Sequence, residues 1–340
     1  MANENTNPVT YADWAKTRDP DGGTADIVEV LELANPILTD IHVQEANMTE
    51  GQRTTIRAGQ PRGTWVGYNE GSVPVKGASR QVDDKPGRMQ AYNEVAVALA
   101  KLEADKAAFM FSESKATMAG MGLDHAETLF YGNSMVNPKR FMGIMPRFND
   151  LTAESGRNVL NGQPGGGQPA GGTNTSIYSI TWGSETAFEF FPKGSTVGLS
   201  MQDLGEHTVH DANGGKYQAY QVFFEQFVGF CLKDWRSAYR IAQLEMADIN
   251  ADAVDIVKLL IKEQHRLRNQ KMGQQVIYCN EAVYTSLDIR ASQTTGNVHL
   301  SMREWAGEEI VHFRGIPVRM CESILETEGN VTSLTADDGA

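Results

Sequence analysis

Between Gly51 and Gly87 the sequence is interrupted by eight glycines and prolines, and it holds few large apolar side chains. The interruptions separate short pieces rich in β-forming residues, at 54–56 and 64–68. This pattern predicts a long extended hairpin that cannot bury a core of its own. The chain must therefore fold, or assemble, in a way that supports the hairpin through contacts with other segments.

Charge is segregated around this hairpin. The formal net charge is −13, and residues 1–50 carry ten acidic and two basic side chains. Residues 51–90 carry three acidic side chains and seven basic ones, the latter being Arg53, Arg57, Arg62, Lys76, Arg80, Lys85 and Arg88. An acidic arm thus precedes a basic loop. The negative net charge argues against a protein whose own surface binds nucleic acid through counterion release.

A long helix is predicted over residues 95–131, which contain no proline and are rich in Ala, Glu, Lys, Met and Leu. At ~1.5 Å per residue such a helix spans roughly 55 Å. Gly120 and Gly122 are expected sites of a kink, and Gly132-Asn133 the expected end. A shorter helix is predicted over 26–38, ended by Asn35-Pro36.

The remainder mixes strands and helices. Residues 161–175 are rich in Gly, Pro and Gln and predict an exposed, mobile loop. Residues 177–241 have a β pattern, with Gly214-Gly215 as a hairpin turn. The later predicted elements are a helix capped by Asn250 or Asp252 and ending at Leu267, a strand at 276–279, a helix at 281–290, and strands at 310–313 and 316–320. The fold class is therefore α+β.

No targeting or redox motif is evident. The polar N-terminus lacks a basic stretch followed by an apolar one, so no secretory signal is expected. Lysines interrupt every apolar run before it reaches the roughly 18 residues of a membrane span. Three distant cysteines without a CxxC pair, Cys231, Cys279 and Cys321, predict buried free thiols.

The candidate catalytic and ligand-binding residues do not have the spacing that the corresponding motifs require. His207 and His210 point to opposite faces if they lie in a strand, and no third zinc ligand is near in sequence. Gly120-Met-Gly122 lies inside the predicted helix, and Gly215-Lys216 lacks the rest of a phosphate loop. We predict no catalytic, cofactor-binding or metal residues. An enzyme remains the alternative, because catalytic residues can lie far apart in sequence.

The basic hairpin has two interpretations. Its positive charges alternate with Trp65, Tyr68 and the nearby Tyr92, a combination also seen where proteins bind single-stranded nucleic acid. The acidic arm and acidic groups on the long helix offer protein targets of opposite sign. We favour pairing between subunits.

The order of acidic arm, basic hairpin, long helix and mixed α/β region resembles the major capsid proteins of tailed bacteriophages, with the Hong-Kong-97-type fold. Leu129-Phe-Tyr-Gly-Asn133, Phe141-Met-Gly-Ile144, Val276 to Asn280 and Phe313-Arg-Gly-Ile-Pro-Val318 resemble short motifs of that family. Tyr178-Ser-Ile-Thr-Trp-Gly183 and the segments after it resemble a β-rich insertion found in some short-tailed phages.

The resemblance implies six regions: an N-terminal arm (1–48), an extended loop (49–92), a spine helix with the start of a peripheral domain (93–150), a β-rich insertion (151–249), an axial domain (250–308), and returning peripheral strands with a C-terminal tail (309–340). Ten side chains are expected to contact neighbouring subunits: Arg53, Arg57, Arg62, Trp65, Lys76, Arg80, Arg88, Glu103, Asp105 and Glu113.

The implied function is a structural subunit that self-assembles, as hexamers and pentamers, into the icosahedral capsid around a double-stranded DNA genome. A soluble enzyme or binding module, with the hairpin as lid or docking element, is the alternative. The expected location is the virion capsid, after synthesis in the host cytoplasm.

The first 50 residues show no sustained heptads, so a separate scaffolding protein is expected. A portal, and a decoration or cement protein, are further implied partners. DNA is expected only in non-specific proximity, and no membrane or cofactor is expected.

Overall fold

A computed structural model describes residues 35–59, 61–102, 106–164, 167, 169, 172–195, 198–210, 214–267, 272–293, 300–305 and 308–331. Most of the predicted helix at 26–38 lies outside these residues. The described part begins with Asn35 and Pro36, and a helical turn starts at Ile37, directly after the proline. Proline is well tolerated at this end of a helix, where its missing N–H would have no partner.

Six α-helices and fourteen strands lie within the described residues. The helices are α1 (Ile37–Asp40), α2 (Val97–Ala100), α3 (Lys106–Tyr131), α4 (Met246–Asn250), α5 (Ile256–Arg266) and α6 (Glu281–Gln293). The strands are β1 (Val43–Glu45), β2 (Gln52–Gly59), β3 (Ala78–Asp84), β4 (Gly87–Ala96), β5 (Val159–Asn161), β6 (Asn174–Trp182), β7 (Ala187–Phe191), β8 (Leu199–His210), β9 (Lys216–Leu232), β10 (Ala238–Glu245), β11 (Gln274–Cys279), β12 (Leu300–Trp305), β13 (Glu308–Phe313) and β14 (Ile316–Met320).

The chain divides into two compact units. The larger contains residues 35–87, 127–195 and 228–331 of the described chain, and its sheet runs in the order β12-β13-β14-β11-β6-β7. Strand β10 pairs with β6, while β1 and the last residues of β9 pair with β7. One face of this sheet forms a core with α5 and α6, in which Ile177, Leu260 and Val283 are buried.

The smaller unit contains residues 88–126 and 196–227 of the described chain. Strands β8 and β9 form a long antiparallel hairpin that pairs from Leu199 opposite Gln226 to His210 opposite Lys216, with a bulge between Asp203 and Gly205, and β4 lies next to β9. Met121, Val222 and Phe224 form a buried cluster within this unit. The loop between the two strands contains Gly214-Gly215, as the sequence predicted, and Gly214 has a φ of 82°.

The predicted helix over 95–131 is wrong at its N-terminal end. Residues 87–96 form β4, where burial alternates along the strand, and the helical residues that follow are divided into α2 and α3, with a turn at Lys101-Leu102. Val95 and Leu99 still reach one apolar cluster with Phe109. These three residues are therefore packed together although the backbone that connects them is not one continuous helix.

The predicted N-cap of the 250–267 helix is also wrong. Met246–Asn250 forms its own short helix, and α5 begins after Asp255, whose side chain accepts a hydrogen bond from the Lys258 N–H. The other strands and helices predicted from residue 274 onwards are present, and β12 was missed. The three cysteines are free and buried, as predicted, and burial raises the pKa of each thiol.

Candidate assembly surface

The extended hairpin is formed by β2 and β3 and ends in a long solvent-exposed tip. The two strands pair antiparallel from Gln52 opposite Asp84 to Gly59 opposite Ala78, with a bulge between Arg57 and Gly59. Every residue from 61 to 80 is exposed. The prediction of an extended hairpin without a core of its own is confirmed.

The tip leaves large apolar side chains in water. Trp65 and Tyr68 are 101% and 103% exposed, and Val73 is 74% exposed. Aromatic side chains exposed to this degree on one loop are typical of binding surfaces, because each removes a large apolar area from water when it docks.

The base of the hairpin, by contrast, is fixed to its own subunit. Asp84 is buried and forms an ion pair of 2.8 Å with the guanidinium of Arg147. The same guanidinium donates to the carbonyl of Phe230 and lies 5.4 Å from the centre of its ring. The Thr54 hydroxyl lies 3.4 Å from the Cys231 sulfur. Because these contacts are at least partly buried, the stem is held where it leaves the subunit while the tip has no such support.

A buried ionic network lies inside the larger unit. Arg240 and Glu328 are each 1% exposed, and the Arg240 Nη2 lies 2.8 Å from a Glu328 oxygen. Tyr131 and Tyr178 donate to the other oxygen at 2.6 and 2.9 Å, and Ser176 donates to the first. Burial raises the pKa of both tyrosines, so they remain proton donors. Both oxygens of the Glu328 carboxylate therefore accept hydrogen bonds, two at each oxygen.

The network joins segments that are distant in sequence. Tyr131 ends the long helix, Ser176 and Tyr178 lie on β6, Arg240 lies on β10, and Glu328 follows the last strand. The Arg240 Nη1 also donates to the Phe148 carbonyl at 3.1 Å. We infer that the network fixes the C-terminal segment against the sheet. No sequence motif predicts this network, because a buried charge pair has no characteristic spacing in sequence.

A second buried carboxyl group, Glu263 on α5, has a different environment. It is fully buried, and neither of its oxygens has a hydrogen-bond partner of normal geometry among the described residues. Burial raises the pKa of Glu263 to about 7, and the nearby Ser179 hydroxyl lowers it in part. The two carboxyl groups differ in their donors, because Glu328 accepts from Arg240, Ser176 and two tyrosines, whereas neither oxygen of Glu263 has such a donor among the described residues.

The ten predicted contact residues are described to different extents, and their contacts with neighbouring subunits stay a prediction. Arg62, Trp65, Lys76 and Arg80 are exposed on the hairpin. Glu113 lies on α3, the Arg57 side chain is outside the described part of the structure, and Glu103 and Asp105 lie outside the described residues.

Two of the predicted residues are paired within their own subunit. Arg53 on β2 forms two hydrogen bonds of 2.7 Å with Asp83 on β3. Arg88 forms a short ion pair with Glu225 and lies 5.5 Å from the Phe227 ring centre. Contact of Arg53 and Arg88 with neighbouring subunits stays a prediction, and sequence analysis contained no information on these partners across neighbouring strands. The residues it missed at the base of the hairpin are Arg147 and Asp84.

No group of three or more His, Cys, Asp or Glu side chains within the described residues is arranged to hold a metal ion. His207 and His210 both lie in β8, three positions apart, and so point to opposite faces of the strand. Within the same residues, no helix combines the length and apolar character needed to cross a membrane.

Comparison with known proteins identifies relatives. The sequence matches the family described as Major capsid protein GP7 over residues 19–332. A chain from the cryo-EM structure of bacteriophage Epsilon15 is 30% identical, with a TM-score of 0.76, over 98% of this chain and 100% of that chain. The bacteriophage JBD30 capsid has a TM-score of 0.53 at 10% identity, over 93% of this chain and 99% of that chain, which is a likeness of fold. The search of curated proteins gave no match.

These matches extend over almost the whole chain, and the α+β architecture with its extended hairpin and long helix is that of the Hong-Kong-97-type phage capsid fold. The chain belongs to the Major capsid protein GP7 family and is a structural subunit of a tailed-phage capsid.

Proposed function

We propose that the subunit assembles into its shell through the extended hairpin, whose tip docks on a neighbouring copy. The observation that carries this proposal is the contrast between the two ends of the hairpin. Asp84 at the base is buried against Arg147, whereas Trp65 and Tyr68 at the tip are fully exposed. A monomer that holds the stem in place and leaves two aromatic rings in water is suited to insert those rings into another surface.

The charged side chains of the hairpin supplement these apolar anchors. Arg62, Lys76 and Arg80 are exposed and form no ion pair among the described residues. We propose that they contact acidic groups of a neighbour, including Glu103, Asp105 and Glu113. Arg53, Arg57 and Arg88 contribute to the same positive field. One exposed pair contributes only about 0–1 kcal/mol, but the symmetry of a shell repeats it in every subunit.

The further partners are also proposals. A separate scaffolding protein, a portal and a decoration or cement protein complete the assembly, and DNA lies inside the shell without specific contacts. The subunit has no enzymatic role, and it is made in the host cytoplasm before it enters the virion. The six sequence regions, including the axial domain at 250–308, remain predictions. Membership in a capsid family supports this set over a soluble enzyme or docking module.

The test is electron microscopy of the full chain, expressed alone and with the neighbouring scaffolding gene, in three versions. The wild type is compared with Trp65→Ser/Tyr68→Ser and with the control Met135→Ser/Val136→Ser. The control residues are 84% and 81% exposed and lie outside the hairpin. We expect closed shells from the wild type and the control, and folded but unassembled subunits from the tip variant.

Two aromatic anchors that docking buries contribute about 2 kcal/mol or more to each contact, and the tip variant loses this free energy at every contact in the shell. Circular dichroism and gel filtration establish that the tip variant is folded. Normal shells from the tip variant would show that the tip is not the docking element. Small oligomers from the wild type under all conditions would refute assembly through the hairpin altogether.

A further inference from the structure

A groove in the larger unit is lined in part by the end of the helix that carries Glu263. Its volume is about 1340 Å³, and its walls include the turns around 151–159 and 233–236 and the last residue of α5, Arg266. Arg266 is exposed, whereas Glu263, three residues earlier on the same helix, is fully buried. The last turn of α5 therefore presents a cation to the groove and an unpartnered carboxyl group to the core.

The groove contains two cations that are available for another partner. Five arginine and lysine side chains line it. Three of them, Arg53, Lys233 and Arg236, are paired with carboxylates at 2.7–3.1 Å. The other two, Arg157 and Arg266, are exposed and form no ion pair with the described residues. Arg266 can therefore turn away from the groove without breaking an ion pair.

Tyr239 on β10 lies close to both charged groups of α5. Its hydroxyl is buried and has no hydrogen-bond partner of normal geometry among the described residues. Burial raises the pKa of Tyr239, Arg266 lowers it and Glu263 raises it, because both charged side chains act on the same hydroxyl. Arg240, the next residue of β10, points to the opposite face of the sheet. Arg266 is thus the cation that lies beside the polar surroundings of Glu263.

The other elements packed around Glu263 contribute neutral groups among the described residues. β6 contributes the Ser179 hydroxyl, which accepts a hydrogen bond of 2.8 Å from Gln275 on β11. α6 contributes apolar side chains such as Val283 to the same core. Lys262 and His265 are one and two positions from Glu263 on α5 and so face other directions. A negative charge on Glu263 would therefore have Arg266 as its nearest source of compensation.

We propose that Glu263 and Arg266 form a pH-dependent switch, in which loss of the Glu263 proton to solvent turns Arg266 from the groove to the buried carboxylate. A buried ionised carboxylate is costly unless a cation pairs with it. Residues three apart on a helix are neighbours, and a long side chain lies back over the preceding turn, so the guanidinium can reach Glu263. The groove then loses one of its two unpaired cations, and its attraction for anionic groups falls as the pH rises. This inference does not depend on docking of the hairpin tip.

The test measures modification of Arg266 by phenylglyoxal in unassembled subunits of the full chain, from pH 6 to pH 8.5. Arg157 is the internal reference, because it is exposed in the same groove and the reagent reacts faster with every arginine as the pH rises. Mass spectrometry gives the ratio of modification at the two arginines. Glu263→Gln and Glu263→Met remove the charge, and Glu154→Gln is the matched control, since Glu154 is an exposed carboxylate of the groove.

We expect the ratio of Arg266 to Arg157 modification to fall about tenfold over this range in the wild type and in Glu154→Gln, because charge-assisted hydrogen bonds protect the guanidinium. In Glu263→Gln and Glu263→Met the ratio should stay constant, and circular dichroism establishes which of the two variants is folded. A constant ratio in the wild type overturns the inference whatever the variants do. A tenfold fall in a folded Glu263 variant, or loss of the fall in Glu154→Gln, overturns it as well.

Discussion

Replacing Glu263 with glutamine is expected to abolish most of the pH dependence of subunit stability near neutrality. The ordinary pKa of this carboxyl group is 4.5, and burial raises it to about 7 in the folded subunit. Below pH 4.5 the group is protonated in both the folded and unfolded states and has no effect. As pH rises from 4.5 to about 7, the unfolded chain releases the proton while the folded subunit retains it, so the folded state loses relative stability.

The size of the effect follows from the shift. A difference of about 2.5 between the two pKa values, at ~1.4 kcal/mol per pKa unit, corresponds to about 3–4 kcal/mol in all, which the wild type loses between about pH 4 and 8. The glutamine amide does not titrate, so Glu263→Gln lacks this loss. The buried amide, like the carboxyl group it replaces, has no hydrogen-bond partner of normal geometry among the described residues, and it costs stability at every pH. The test is therefore the change of the unfolding free energy with pH, and not its value at any one pH.

The assay is urea unfolding of unassembled subunits at pH 5, 6, 7 and 8, with Glu326→Gln as the matched control. Glu326 is an exposed glutamate of the same segment as Glu328, and its substitution should leave the wild-type slope unchanged. The difference in unfolding free energy between Glu263→Gln and wild type should move by about 2–3 kcal/mol in favour of the variant between pH 5 and 8. If the unfolding free energies of Glu263→Gln and wild type change with pH by the same amount over this range, Glu263 is ionised or hydrated in the folded subunit and the reasoning is wrong.

Three further outcomes are expected. Arg240→Met leaves Glu328 buried without its cation and should lower the unfolding free energy by about 3–5 kcal/mol in urea, with partial recovery in Arg240→Met/Glu328→Gln; an equal loss in both would contradict the ionic account. Gly132→Ala places a Cβ 2.4 Å from a backbone oxygen and should yield little folded subunit on gel filtration, whereas Gly120→Ala, with nothing within 4 Å, should raise the unfolding free energy by about 0.5–1 kcal/mol. Limited trypsin digestion should cut the exposed tip at 61–77 in free subunits and spare it in shells; equal cleavage in both would count against docking.

Several elements were predictable from sequence because their signal is local. The hairpin of β2 and β3 follows from glycine and proline punctuation, and the strand Ala187–Phe191 from a short β-forming run. The end of the long helix at Tyr131 follows from Gly132-Asn133. In each case the deciding preferences lie within a few residues of the element.

Other features required the tertiary structure. The boundary between β4 and α2 falls at Ala96-Val97, inside a run of helix-forming residues, because β4 lies next to β9. Arg53 carries the same charge as Arg62, yet only the fold shows that Asp83 lies opposite it across the hairpin.

By itself, the sequence determined that a basic hairpin without a core follows an acidic arm and precedes a long helix, and therefore that the chain needs neighbours. Only the tertiary structure decided which charges are already satisfied. Arg240 and Glu328 are separated by 88 positions and meet at 2.8 Å, whereas Glu263 is buried with no partner of normal geometry among the described residues. Pairing of buried charges depends on which strands lie side by side, and that depends on packing summed over the whole unit rather than on any local pattern.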